Sequence, residues 1–303
     1  MMNDNPAEQA GDLYAGLLAY LREVKADVVA KRSVDIDKAC RLIRTLVDEP
    51  MRIQNIFPLT LKDSAETDYM VAHQANVSVF AMKLGLALKF GASQLFDLGV
   101  ASLIHDLGIW GLPDAVLGKK DKLTESEREA VRGHSIMGRD LLAPFRPEHP
   151  SLAEVIYQPH ERGNGTGYPR GLKIKDIHRH AILICFADAH EAMTHQRPHR
   201  RELKQTFTAR ELIADFREAA FPEDLVKAFL KEITPYPEGS YVRLNNQWIC
   251  EVVAVNRENP LRPEVRVIMG RPGRGESGRI IRLSENPTYY IEDCLSPNEI
   301  RMD

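Results

Sequence analysis

At 303 residues the chain is long enough for one large domain or two ordinary ones, each with its own core. Its 40 lysines and arginines stand against 43 aspartates and glutamates for a formal net charge of −3, so no chain-wide field draws it to DNA, RNA or a membrane surface. Cys40, Cys185, Cys250 and Cys294 are scattered without a C-x-x-C pair, which fits reduced thiols and suggests no disulfide framework.

The polar, acidic start Met1-Met-Asn-Asp-Asn-Pro is unlike a secretion signal, and no apolar run approaches the ~20 residues that span a bilayer, so a soluble cytoplasmic protein is expected. Leu13, Leu17, Leu21, Val24 and Val28 predict a helix over 12–31, and a second helix runs from Asp35 to Asp48 before Pro50. With 50–63, where Pro58 breaks the pattern, they form an all-helical lead-in over 1–63. A long helix over about 64–90 follows, with His73 inside it and Val77, Phe80, Ala81, Leu84 and Leu88 marking its buried face. Ser93 is the expected N-cap of a helix from Leu95 to Leu107, which contains His105-Asp106.

Pro113 and the run Lys119-Lys120-Asp121-Lys122 then mark an exposed loop whose charges serve solvation. Thr124 to Glu127 is a capping box that opens a helix to about Leu142 carrying His134. A short helix around Leu152 to Tyr157 leads into Pro159-His160-Glu161 and then the glycine-dense loop Arg162 to Gly171. Helix resumes from about Asp176 to Ala192, where Asp188 interrupts an apolar run, and again from Thr208 to Ile233 with a break near Pro222. From Pro235 the pattern changes to β-branched runs: two joined at Asn245-Asn246, then 264–268 and 278–282, predicting a small β-rich extension over 235–303.

His105 and Asp106 sit side by side at the end of an apolar run, a costly place for charge unless something binds there. Taken alone the pair reads as a helix end closed by Gly108. Taken with His73, His134, His160 and Asp188, each on its own apolar or glycine-flanked element, it belongs to a set of nitrogen and oxygen donors suited to first-row divalent metals. A shared carboxylate would let two such ions sit about 3.5–4 Å apart and clamp a phosphate for in-line displacement.

Over about residues 65–235 the chain resembles the HD-GYP family of metal-dependent phosphohydrolases. The resemblance rests on ordered motifs: His73, His105-Asp106-x-Gly108, Gly111-x-Pro113-Asp114, Leu123-Thr124 with His134, His160-Glu161-Arg162, Gly165-x-Gly167-Tyr168-Pro169, Asp188-Ala189 and Arg197-Pro198-x-Arg200. It implies a mainly α fold, an HD-domain helical bundle over 64–234 between the helical lead-in and the β appendage. It implies two divalent ions, usually iron or manganese, and cyclic di-GMP as the substrate, hydrolysed to linear pGpG or GMP. On the resemblance His73, His105, Asp106 and Asp188 form the first metal site, and Asp106 bridges to an ion held by His134 and His160. Asp106 and His105 are then the catalytic pair. Gly167, Tyr168 and Pro169 shape the nucleotide pocket, and Arg197 and Arg200 meet phosphate, a task that suits their fork geometry.

The chain departs from the family at named positions. Ile109 stands where a lysine usually follows His-Asp-x-Gly, and Pro159 where a second histidine usually precedes His160. Tyr69 occupies the place of a glutamate that supports a third ion, and Asn164 and Glu191 replace usual aspartates. Two ions rather than three are expected, the second held more weakly. Two functions follow: a phosphodiesterase in which metals activate water, or a degenerate receptor that binds the dinucleotide or a protein partner with little or no turnover. The cyclic dinucleotide is the expected partner, with neither a nucleic-acid polymer nor a membrane, and the lead-in helices offer a surface for a homodimer.

Overall fold

The helix over Tyr69–Ala87 has almost no polar face to turn toward water, and the N-terminal part of the fold is built around it. The computed structural model describes residues 6–60, 68–119, 121–142, 151–194, 209–232, 236, 238–256, 258–270 and 277–295. Within it α1 (Pro6–Val29), α2 (Ile36–Asp48), α3 (Met51–Thr60), α4 (Tyr69–Ala87) and α5 (Ala92–Leu103) follow one another in the chain. Every residue of α4 from Val71 to Met82 is buried, as expected of a helix enclosed on all sides. α1, α3, α5 and α10 (Arg179–Thr194) supply that enclosure.

α1 buries Leu17, Leu21, Val24 and Val28, and α2 is capped by Asp35, whose carboxylate accepts from Lys38 N at 2.8 Å. The sequence suggested a broken segment after Pro50, yet α3 forms there with Pro58 inside it. Ile53, Ile56 and Thr60 all face inward from it, so burial outweighs the hydrogen bond that the proline cannot donate. Two other boundaries move. Gly91 rather than Ser93 is the N-cap of α5, and α5 ends at Leu103 with Ile104 as its C-cap, leaving His105 and Asp106 on the bend before a 3-10 turn at Leu107–Gly111.

α6 (Asp114–Leu117) is one short turn. The capping box forms as expected: Glu127 accepts from Thr124 N at 2.7 Å while Thr124 Oγ1 accepts from Glu127 N at 3.3 Å. The helix it opens, however, divides at Gly133 into α7 (Glu125–Arg132) and α8 (His134–Leu141), which puts His134 at the head of a new helix. α9 (Leu152–Tyr157) precedes the glycine-dense loop, and α11 (Ala209–Glu218) and α12 (Glu223–Glu232) lie either side of Pro222.

The contact pattern divides the chain into two units, residues 1–201 with 217–225 and residues 202–216 with 226–303. In the second unit β1 (Tyr241–Leu244), β2 (Ile249–Ala254), β3 (Glu264–Met269), β4 (Ile280–Arg282) and β5 (Ile291–Leu295) form an antiparallel sheet of order β4-β3-β2-β1-β5. Alternation puts Val242, Leu244, Cys250, Val252, Val265 and Val267 inside, with Trp248 and Ile281. β5 went unpredicted: Glu292 and Asp293 break its apolar pattern, and it forms by pairing with β1 some fifty residues away. Both the helical bundle and the small β part match the expected fold class. No helix of the described residues is long and apolar enough to cross a membrane.

Candidate metal centre and its cavity

The six residues singled out in the sequence reach one place from five stretches of chain. His73 lies on the second turn of α4, His105 and Asp106 on the bend after α5, His134 at the start of α8, His160 in the turn after α9, and Asp188 midway along α10. Gly108 lets these stretches meet. A Cβ there would lie 2.1 Å from the His134 carbonyl oxygen and 2.6 Å from Gly138 N, so only glycine allows the bend to touch α8.

Three of the imidazoles are held from behind. His105 Nδ1 faces the Ser102 carbonyl at 2.9 Å, His134 Nδ1 the Val131 carbonyl at 2.5 Å, and His73 Nδ1 the Glu191 carboxylate at 2.6 Å. An Nδ1 facing an oxygen acceptor carries the proton and leaves Nε2 a lone pair for the cluster. The two oxygens of Asp106 divide between two groups. Oδ1 lies 3.1 Å from His134 Nε2 and 3.4 Å from His160 Nε2, while Oδ2 lies 3.6 Å from His105 Nε2. His73 Nε2 is 3.4 Å from Asp188 Oδ1 at the edge of the cluster.

Two sets of donors therefore share Asp106: His73, His105 and Asp106, and Asp106, His134 and His160, with one donor atom of each residue lying within 4.8 Å of the others in its set. Burial opposes charge on Asp106, but His105 and then His134 and His160 outweigh it and hold the carboxyl well below its usual range. Burial pushes the His105 imidazole below its ordinary value. For His73 and His134 burial acts the same way, but Glu191 beside the first and Asp106 beside the second win and raise them.

These residues fit a divalent metal. His105 Nε2 is buried and has no hydrogen-bond partner among the described residues, which is costly unless an acceptor of its lone pair is present. His134 Nε2 and His160 Nε2 are 3.0 Å apart, and two nitrogens each about 2.1 Å from one ion at a right angle stand about 3.0 Å from each other. The donor set, imidazole with carboxylate and no thiolate, suits iron, manganese or zinc.

Above the cluster opens a cavity of about 820 Å³, lined among others by Tyr69, His73, Asp106, Ile109, Trp110 and Tyr168. Ile109 is buried in its wall. The loop read as merely solvated contributes Lys119, Asp121 and Lys122 to the lining. Lys119 is tied to Glu127 at 2.5 Å, whereas Lys122 makes no ion pair among the described residues. Tyr168 stacks on His160, with centroids 4.9 Å apart and planes 18° from parallel, so its ring backs a histidine of the cluster. The Tyr168-Pro169 peptide is cis. Gly167 packs where a Cβ would lie 2.3 Å from Arg162 N, which gives it a part in shaping the loop. Arg197 and Arg200 lie outside the described residues.

Two carboxylates escaped assignment in the sequence. Glu161 is buried and accepts from Arg170 N at 2.7 Å and Leu172 N at 2.9 Å, clasping the Gly-Tyr-Pro loop. Glu191 holds His73; its spacing of three residues from Asp188 on one helix was the available signal. Asn164 donates to the Glu218 carbonyl at 2.7 Å and accepts from Thr166 N at 3.0 Å, a double role that an aspartate could not fill.

A helical unit with a histidine cluster sharing one carboxylate at the floor of a cavity defines a metal-site domain. The HD domain family model matches residues 61–218, and the chain belongs to that family; the HD-GYP resemblance is borne out. A model described as a KOW domain associated with HD domain matches residues 241–302. A cyclic di-GMP phosphodiesterase of Pseudomonas aeruginosa is 29% identical over 78% of this chain, which spans 56% of that protein's length. One of Thermotoga maritima is 32% identical over 54% of the chain and 45% of its own length, and a 3'3'-cGAMP-specific phosphodiesterase of Vibrio cholerae 28% over 59% and 46%. Among solved structures, an HDG"Y"P protein of Bdellovibrio bacteriovorus has the same fold, with a TM-score of 0.56 at 18% identity over 76% of this chain and 72% of that one.

Proposed function

We propose that this protein is a metal-dependent phosphodiesterase that hydrolyses cyclic di-GMP to pGpG or GMP, with residues 64–234 carrying the chemistry and two ions of iron or manganese as cofactors. The observation that carries the proposal is the pair of donor sets sharing Asp106 beneath a cavity with room for a nucleotide. Relatives whose names give cyclic di-GMP and 3'3'-cGAMP as substrates support the cyclic dinucleotide class.

His73, His105, Asp106 and Asp188 would hold one ion, and Asp106, His134 and His160 the other. Bound there, divalent ions supply a water nucleophile at neutral pH and charge that stabilises the phosphorane-like transition state. The chain's own residues do the rest. The backbone and Glu191 contacts fix the ring orientations, so the donors are preorganised. Ile109 and Trp110 give the cavity an apolar wall beside the cluster, which limits bulk water near the scissile bond. Lys122 brings a cation to the same cavity for substrate phosphate.

The test is anaerobic purification, a count of bound metal, and turnover of cyclic di-GMP beside an Asp106→Ala control. Metal-loaded protein that binds the dinucleotide tightly without hydrolysing it is a receptor and not an enzyme. Turnover that survives Asp106→Ala would place the chemistry elsewhere.

A further inference from the structure

Tyr69 and His73 are four residues apart on α4, and Asp188 and Glu191 three apart on α10, so each pair presents one face to the other where the two helices pack. The result is a chain of contacts. Tyr69 Oη donates to Glu191 Oε2 at 2.9 Å, and the same oxygen accepts from His73 Nδ1 at 2.6 Å. On the other side of the ring, His73 Nε2 faces Asp188 Oδ1 at 3.4 Å.

Glu191 and His73 are both about 2% exposed, so neither group can exchange its partner for water. Tyr69 and His73 line the cavity, whereas Glu191 is absent from its lining among the described residues. Glu191 thus stands behind the histidine, away from anything bound in the cavity. With Nδ1 committed to one carboxylate and Nε2 aimed at a second, the imidazole is pinned at both nitrogens, and an Nε2 lone pair facing Asp188 across 3.4 Å is the arrangement that suits a cation between them.

We infer that Glu191 is a positioning residue that fixes the tautomer and tilt of His73 for metal binding, and that Tyr69 sets the position of Glu191. Both positions differ from the family pattern, and a hydrogen bond joins them. The inference rests on the metal assignment made above. It adds that two residues outside both donor sets control affinity at the first.

The test is Mn²⁺ binding by equilibrium dialysis with elemental analysis, on the full chain and on Tyr69→Phe, Glu191→Gln and the double variant. Wild type is expected to bind the metal. Glu191→Gln should keep the stoichiometry but weaken the tightest Mn²⁺ site by about 10- to 100-fold, the usual effect of losing such a support. Tyr69→Phe, the milder change, should weaken it by less, and the double variant should be no worse than Glu191→Gln alone, because the tyrosine acts through the glutamate. Affinities equal to wild type in both single variants would overturn the inference, as would loss of a whole equivalent of metal from Glu191→Gln, which would make Glu191 a ligand. A wild type that binds no Mn²⁺ at all would instead overturn the metal assignment itself.

Discussion

Gly108 lies so close to His134 that a Cβ on it would stand 2.1 Å from the His134 carbonyl oxygen. The contact joins the bend that carries Asp106 to the helix that carries His134, and nothing flexible lies between them to yield. Gly108→Ala must push α8 away, at about 1–3 kcal/mol for an overpacked backbone contact. Urea unfolding should report that loss, and metal analysis should show depletion of the set formed by Asp106, His134 and His160. A variant as stable and as metal-rich as wild type would show that this contact does not hold the cluster together.

Glu161 offers a second handle because its two oxygens accept from Arg170 N and Leu172 N inside the fold. In Glu161→Gln the amide can accept only one of these bonds and turns a donor toward the other, costing about 2–3 kcal/mol. The loop it clasps carries Tyr168, which stacks on His160. Cyclic di-GMP affinity should fall along with stability. Calorimetry on the variant checks both, and unchanged affinity would separate the loop from the ligand.

Legible in advance were α1 and α2 from their one-sided apolar period, α4 from its long apolar run, and α7 from its capping box. The six side chains that the fold gathers could also be singled out, not one by one but as a joint pattern of histidines and acids on separate apolar or glycine-flanked elements. What escaped depends on neighbours remote in the chain. α3 tolerates Pro58 because its inward side is buried, and β5 exists only through β1. Glu161 and Glu191 stand at motif positions but take their roles, as Lys122 does, only when folding sets Glu191 against His73, Glu161 beneath the loop and Lys122 at the cavity.

Ile109 is buried in the cavity wall near Asp106, where the family usually has a lysine. In Ile109→Lys the methylene stem can take the place of the isoleucine side chain while the ammonium reaches the cavity. The dissociation constant for cyclic di-GMP should fall about tenfold, equivalent to ~1.4 kcal/mol, and the gain should shrink as salt is raised. Titration calorimetry at two ionic strengths measures this. An affinity that does not change would show that a cation at this position makes no contact with substrate phosphate.

Remote from the cluster, His180 near the start of α10 is packed against Phe90 with ring centroids 5.5 Å apart, and beside His178 and Arg179. Burial, reinforced by the neighbouring His178 and Arg179, pushes its imidazole down from 6.5 to about 4. Burial depresses His178 as well, with Asp97 and Glu154 acting against the shift. Between those two values the unfolded chain binds a proton at His180 that the folded chain does not, so stability from this site is complete above pH 6.5 and is lost as the pH falls toward 4. The loss should be on the order of 1–2 kcal/mol, below the full linkage value because the site is not wholly dry. Urea midpoints at pH 7.5, 6.0 and 4.5 for wild type, His180→Gln and the His178→Gln/His180→Gln pair measure the difference, in which the titrating groups remote from this histidine pair cancel. The wild-type curve should fall more steeply, and parallel curves would mean that His180 titrates in the fold as it does in the unfolded chain.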